Sequence, residues 1–314
     1  MRFALLLFVA TFFGFSISTG SAQEKPKPTE PGSVGRQLAE EALQIEGLIE
    51  SDGVKEFVGQ GAKLPAIEPF EVEYKGQSKL IDESLFYVDR FGSPLSYARA
   101  LDLAAKHGLD KIAGKRVLDF GYGSIGQLQM LALCGADVTG VDVAPLLPLM
   151  YAKHSGTYDA GKVTLVDGQF PGDKSVAEKI GSGIDLVISK NVLKRGYIHP
   201  ARDAKPEQLI NLGVDDATFL GEIHNRLNPQ GLFVIYNICP AQASDDKPYI
   251  PWADGQSPFS RQQFEDAGFE VLEFDTDDTP FAREMAKRLG WSESMDLETD
   301  LFGWYTVVRK PELP

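Results

Sequence analysis

Val117-Leu118-Asp119-Phe120-Gly121-Tyr122-Gly123-Ser124-Ile125-Gly126 is the stretch that decides the fold. Arg116 to Phe120 reads as a short apolar strand and Ile125 to Cys134 as a buried helix, with glycines between them. Glycines at the end of a parallel strand let a ligand approach the backbone, and the helix start beyond them supplies free N–H groups. Asp137 to Val143 is a second strand, and its Asp142 lies 142 − 121 = 21 residues beyond the first glycine. A carboxylate at that spacing can take both hydroxyls of a nucleoside ribose.

Working outward, strands are expected at Val163 to Val166, Ile184 to Ser189 and Leu232 to Ile238, then at Phe269 to Phe274 and Phe302 to Arg309. Helices fall between them at Thr218 to Leu227, at Arg261 to Ala267 behind a Ser260 cap, and at Pro280 to Leu289. Such alternation implies a mainly parallel sheet covered on both faces. Upstream, apolar residues at helical spacing predict an amphipathic helix from Val34 to about Val58, and Ser93-Pro94 opens another from Leu95 to Ala105. Leu64 to Phe70 leads into a short polar region with no assigned structure.

The ends and the composition narrow the function. Arg2 is the only charge in the first 22 residues, and twelve of the fifteen residues from Phe3 to Ile17 are apolar. Small residues at Gly20-Ser21-Ala22 complete a secretory-signal pattern. The expected organisation is a signal at 1–22, a Pro-rich linker at 23–33, a helical extension at 34–110 and an α/β domain at 111–314. The product would be exported, periplasmic or secreted, with no stable membrane anchor, since the apolar run is too short to span a bilayer. Lys and Arg number 31 against 45 Asp and Glu, a net charge of −14, which disfavours nucleic acid as a partner. Four scattered histidines suggest no metal site. Cys134 and Cys239 are placed far apart by the strand order and are expected to stay unpaired.

Three ligands suit a glycine turn of this kind. The Gly121-x-Gly123-x-x-Gly126 spacing favours NAD, but Asp119 puts a negative charge where a pyrophosphate would lie. A serine-hydrolase elbow at Ser124 fails because Tyr122 stands where glycine is needed. The third ligand is S-adenosylmethionine. Val117 to Gly123 resembles the first motif of class I S-adenosylmethionine-dependent methyltransferases, and Val138-Thr139-Gly140-Val141-Asp142 is similar to their second. Val163 to Phe170 and Ile184 to Ser189 resemble the third and fourth, Leu227 to Gly231 the turn before strand five, and Trp304 to Val308 part of the closing antiparallel pair. The likeness runs from about Phe91 to Lys310.

That resemblance implies a Rossmann-like α/β fold with a seven-stranded, mostly parallel sheet, helices on both faces and an antiparallel C-terminal strand. It implies that Gly121 and Gly123 face the methionine half of the cofactor, with Asp119 beneath it, Asp142 on the ribose and Gln169 facing the adenine amino group. Tyr122 is expected to pack on the turn. The loop from Lys190 to His199 follows the fourth strand, on the side of the sheet where α/β folds bind ligands. Lys194 and Arg195 there, with Trp252 in a second loop, are expected to bind a small and anionic acceptor, and Tyr197 or His199 to serve as a base if one is needed. The leading expectation is methyl transfer to an unknown small molecule. The rival is an exported, non-catalytic binding module that keeps the same fold.

Overall fold

The structure is a computed structural model that describes residues 28–88 and 93–312; the expected signal at 1–22 lies outside the described residues. The chain opens with α1 (Ser33–Ile45) and α2 (Asp52–Gly59), then a hairpin of β1 (Phe70–Tyr74) and β2 (Gln77–Ile81), then α3 (Glu83–Tyr87) and α4 (Ala98–Lys106). The large sheet begins with β3 (Arg116–Phe120), α5 (Ile125–Leu133), β4 (Asp137–Asp142), α6 (Leu147–Tyr151), β5 (Gly156–Tyr158) and β6 (Gly161–Asp167). It continues through α7 (Lys174–Ile180), β7 (Ile184–Lys190), α8 (Arg195–Ile198), α9 (Asp216–Arg226) and β8 (Leu227–Cys239). It closes with α10 (Arg261–Asp266), β9 (Glu270–Asp277), α11 (Thr279–Arg288), α12 (Leu297–Asp300) and β10 (Phe302–Arg309).

The spatial order is β5-β6-β4-β3-β7-β8-β10-β9. Strands β6, β4, β3, β7 and β8 run parallel, while β10 pairs antiparallel with both β8 and β9. This is the expected Rossmann-like arrangement with one strand more than expected. The extra strand, β5, is a three-residue edge piece antiparallel to β6, too short to carry any periodicity in sequence.

Alternation along the strands builds two cores. Val117 joins the cluster beneath α1, α4 and α5, whereas Leu118 joins Phe219 of α9 and Phe264 of α10 on the opposite face. The residues before β3 therefore form one wall of the core. Buried Glu83 fixes their entry by accepting N–H groups from Gly32, Val34 and Ile67 at 2.8–3.2 Å.

Three expectations need correction. The helix expected over Val34 to Val58 is broken into α1 and α2, because Ser51 adopts an extended conformation and caps α2 by accepting from Val54 N. The region 34–110 is not wholly helical, since the polar stretch after Phe70 folds into β1 and β2 around Lys75-Gly76, both at positive φ. The turn expected at Asn228 to Gly231 lies inside β8 as an irregularity in its pairing with β7, with Gln230 at φ 65°. Cys134 and Cys239 are both free and buried, and no helix among the described residues is long and apolar enough to cross a membrane.

Candidate functional site

β3 sits between β4 and β7, and the chain order reverses there: β4 and β6 extend the sheet one way, β7 and β8 the other. Open α/β sheets bind ligands in the crevice outside the C-terminal strand ends at this switch point. The sequence puts its glycine turn there. Gly121 and Gly123 have φ of 73° and 61°, which side chains rarely tolerate. A Cβ on Gly121 would come within 2.5 Å of Val192, so close packing from the loop after β7 also requires this glycine.

Asp142 ends β4 with its carboxylate turned towards that turn. One oxygen accepts the Gly123 N–H at 3.0 Å and the other the Ala144 N–H at 2.8 Å. Each oxygen keeps a lone pair, enough for two further donors. Burial pushes its pKa up against the pull of these backbone donors. Beside it Val143 is 54% exposed, an apolar side chain left in solvent next to a carboxylate. Together they offer a charged acceptor for hydroxyls and a greasy surface for a flat ring. Gln169 follows β6, and its amide Nε2 donates to the Asn211 carbonyl at 2.7 Å, leaving the oxygen as the group able to meet a ligand.

Asp119 is fully buried on β3, in register with Ile188 of β7. Lys190, two residues on and so on the same face, places its ammonium against Asp119 Oδ2. Burial drives Asp119 up and Lys190 down in pKa, and their mutual attraction opposes both shifts. Asp119 Oδ1 is buried and has no hydrogen-bond partner among the described residues. Asn191, at φ 59°, accepts from Ile238 N and donates to the Tyr97 hydroxyl, which brings an aromatic ring from just before α4 to within 6.0 Å of the Lys190 ammonium. Sequence reasoning missed Lys190 as the partner of Asp119. The signal was present: a lysine ending the mostly buried strand Ile184-Asp185-Leu186-Val187-Ile188-Ser189. Tyr122 packs on the turn as expected, its ring filling the space above Gly140.

The loop expected to bind an anionic acceptor is arranged differently. Lys194 is buried, and its ammonium donates to the carbonyls of Ile238 at 2.6 Å and Trp252 at 3.1 Å. Desolvation pushes it down to about 8. Arg195 pairs with Asp254 at 2.9 Å, and Tyr249 donates to the same carboxylate at 2.8 Å. These cations tie the 194–198 segment to the 249–254 loop, and the half-buried Trp252 contributes its backbone to that tie. Replacing Lys194 by Ala should therefore act on folding. It strands two carbonyls at about 1–3 kcal/mol each, which a urea titration would read; an unchanged midpoint would mean water replaces the ammonium at no cost.

Tyr197 lies half-buried with its ring 5.8 Å from the Lys194 ammonium, and burial raises its phenol far above the usual value, which ill suits a base. His199 is exposed, with Nε2 at 2.9 Å from Asp216. His199 and Asp216 border a cleft of about 720 Å³ lined also by Ile198, Leu209, Ile210 and Asn211, the residue whose carbonyl Gln169 holds. The structure thus brings Asp119, Gly121, Gly123 and Asp142 together at the switch point and places His199 elsewhere.

No family model matches the chain, and no curated protein matches it. Solved structures of similar outline include phosphoethanolamine N-methyltransferase 2 of Haemonchus contortus bound to S-adenosylhomocysteine, with a TM-score of 0.41 and 17% identity over 71% of this chain and 55% of that one. Others are a geranyl diphosphate methyltransferase in complex with S-adenosylmethionine (TM-score 0.41, 13% identity, 69% and 86% covered) and the [4+2]-cyclase SpnF (0.41, 18%, 91% and 98%).

Proposed function

We propose that this chain binds an S-adenosyl ligand across the ends of β4 and β3 and acts as an S-adenosylmethionine-dependent methyltransferase on a small molecule, outside the cytoplasm. The observation that carries the reading is Asp142: a carboxylate held in place by the Gly123 N–H at the glycine turn, with spare acceptor capacity and exposed Val143 beside it. The nucleoside end of the ligand fits these residues. The bound cofactor would supply an electrophilic methyl on sulfur, and methyl transfer asks mainly for alignment of the two reactants. Gly121 and Gly123 would let the tail lie close to the backbone, and Tyr97 and Asn191 would border the acceptor. The anionic acceptor expected from Lys194 and Arg195 is not retained, because both cations have internal partners. Export rests on the N-terminal sequence pattern alone. Asp142→Ala tests the reading: affinity for S-adenosylhomocysteine should fall, and an unchanged affinity would remove this carboxylate from the site.

One observation favours the second reading, a binding module without turnover. Asp119, which resemblance would place beneath the cationic half of the cofactor, is already paired with Lys190. A methyl acceptor found to be turned over would dispose of that reading.

A further inference from the structure

Between α8 and α9 the chain curls around the cleft of about 720 Å³, a volume within the range of small-molecule sites. A connection this long, with no regular structure beyond one turn at Pro206–Gln208, is commonly a binding element. Ile198, Leu209, Ile210, Leu212 and Val214 form apolar walls, and all but Leu212 stand half-buried. Covering such surface is favourable. The walls are held in place by short bonds. Ile210 N–H donates to the Tyr197 carbonyl at 2.9 Å, Gln169 to the Asn211 carbonyl at 2.7 Å, and Gly213 N–H to Asn211 Oδ1 at 2.7 Å. A site shaped in advance asks little ordering of itself when a ligand arrives.

The polar lining is acidic. Asp215 and Asp216 open α9, where the helix start by itself would attract an anion, but these carboxylates already supply that charge. Asp216 is oriented by His199 Nε2 and by Gln263 Nε2 of α10, each at 2.9 Å, and Asp215 accepts the Thr218 N–H at 2.8 Å. A carboxylate has about four lone-pair sites, so both keep room for a further donor. No lysine or arginine is among the lining residues. Arg202 spends its guanidinium on the carbonyls of Ala243, Asp245 and Lys247, exposed Lys205 is followed by Glu207, and His199 is cationic only when protonated. No Phe, Tyr or Trp lines the cleft either, so the usual cage for a quaternary ammonium is missing. We propose that this cleft is a second ligand site, built for a small apolar primary amine. The hydrocarbon covers the aliphatic walls, and the ammonium donates to Asp215 and Asp216. The site stands independently of an adenosyl ligand at Asp142, although the Gln169–Asn211 bond links the two places.

The test is titration calorimetry of the full chain at about pH 8 with hexylamine, hexanol and hexanoate, which share one hydrocarbon tail and differ in charge. Hexylamine should bind once per chain and about tenfold or more tightly than hexanol, the effect of one charge-assisted hydrogen bond, and hexanoate should not bind. Asp215→Asn keeps an oxygen to cap α9, and Asp216→Asn keeps one for His199. Either should bring hexylamine close to hexanol. Val214→Ser should weaken amine and alcohol alike, and Asp137→Asn, at the exposed start of β4, should change neither. Equal affinity for amine and alcohol in the natural chain would overturn the proposal. So would hexylamine affinity unmoved by both Asp→Asn variants, or no binding of hexylamine at all. The first comparison uses only the natural chain, so a variant that fails to fold does not spare the proposal. No adenosyl ligand is added, so the outcome is separate from that of the Asp142 site.

Discussion

Replacing Arg99 by Ala should cost about 3–5 kcal/mol of folding stability, the usual loss when one partner of a buried ion pair is removed. Arg99 lies on α4, and its guanidinium reaches Asp278 at the start of α11 through two bonds of 3.0 Å, and Asp102 through one of 3.1 Å. Both carboxylates are under one-tenth exposed, and the guanidinium also stacks 4.0 Å from the Phe281 ring. Asp102 has two backbone N–H partners besides, from Glu50 and Ser51, so it would survive the loss better. Asp278 would keep its charge with no cation beside it. Burial already raises its pKa above 3.8 against the pull of Arg99. A group whose folded pKa is raised favours the folded state fully only below its unfolded pKa, so the deficit of the variant should be smallest below about pH 4 and largest near neutrality. Urea titrations at pH 3.5 and 7 would show it. A deficit under 1 kcal/mol at neutral pH would mean that water reaches Asp278 once the arginine is gone.

Asp142→Ala carries the second large effect. If the carboxylate takes both ribose hydroxyls, the variant loses two hydrogen bonds to a charged acceptor, about 1.5–3 kcal/mol each, or at least about a hundredfold in affinity for S-adenosylhomocysteine. Part of that loss would come from the turn, because the Gly123 and Ala144 N–H groups lose their acceptor as well. Asp142→Asn separates the two contributions: its amide oxygen retains one acceptor and should give an intermediate affinity. Asp137→Ala, at the exposed opposite end of the same strand, should leave binding alone. Equal weakening by Asp137→Ala and Asp142→Ala would point to general loosening of β4 and away from a ribose contact.

β3, β4 and β6 were legible because each is a short, largely apolar run stopped by glycine or an acid, and β10 was placed to the residue from Phe302 to Arg309. Elements that failed to announce themselves lack such punctuation. β5 is three residues of edge strand, and β1 and β2 alternate polar and half-buried residues around Lys75-Gly76. The helical period from Val34 onwards runs through Ser51 without interruption, so only the cap geometry reveals the break. At the site, spacing was enough to bring Asp142 to the glycine turn. It could not tell a cation facing solvent from one turned inwards. Lys190 and Lys194 stand four residues apart in sequence, yet one, ending β7, neutralises a carboxylate on β3 and the other holds two carbonyls of neighbouring segments. Partner choice of that kind depends on contacts between residues far apart in the chain, which periodicity does not encode.

The adenosyl site is tested most directly by calorimetric titration of the full chain with S-adenosylhomocysteine and, separately, with NAD. Both ligands carry an adenosine whose ribose suits Asp142, but only NAD brings a pyrophosphate towards the Asp119 end of the turn. The account predicts saturable binding of one S-adenosylhomocysteine per chain and none of NAD. Binding of NAD without S-adenosylhomocysteine would contradict it, and so would the absence of binding by either.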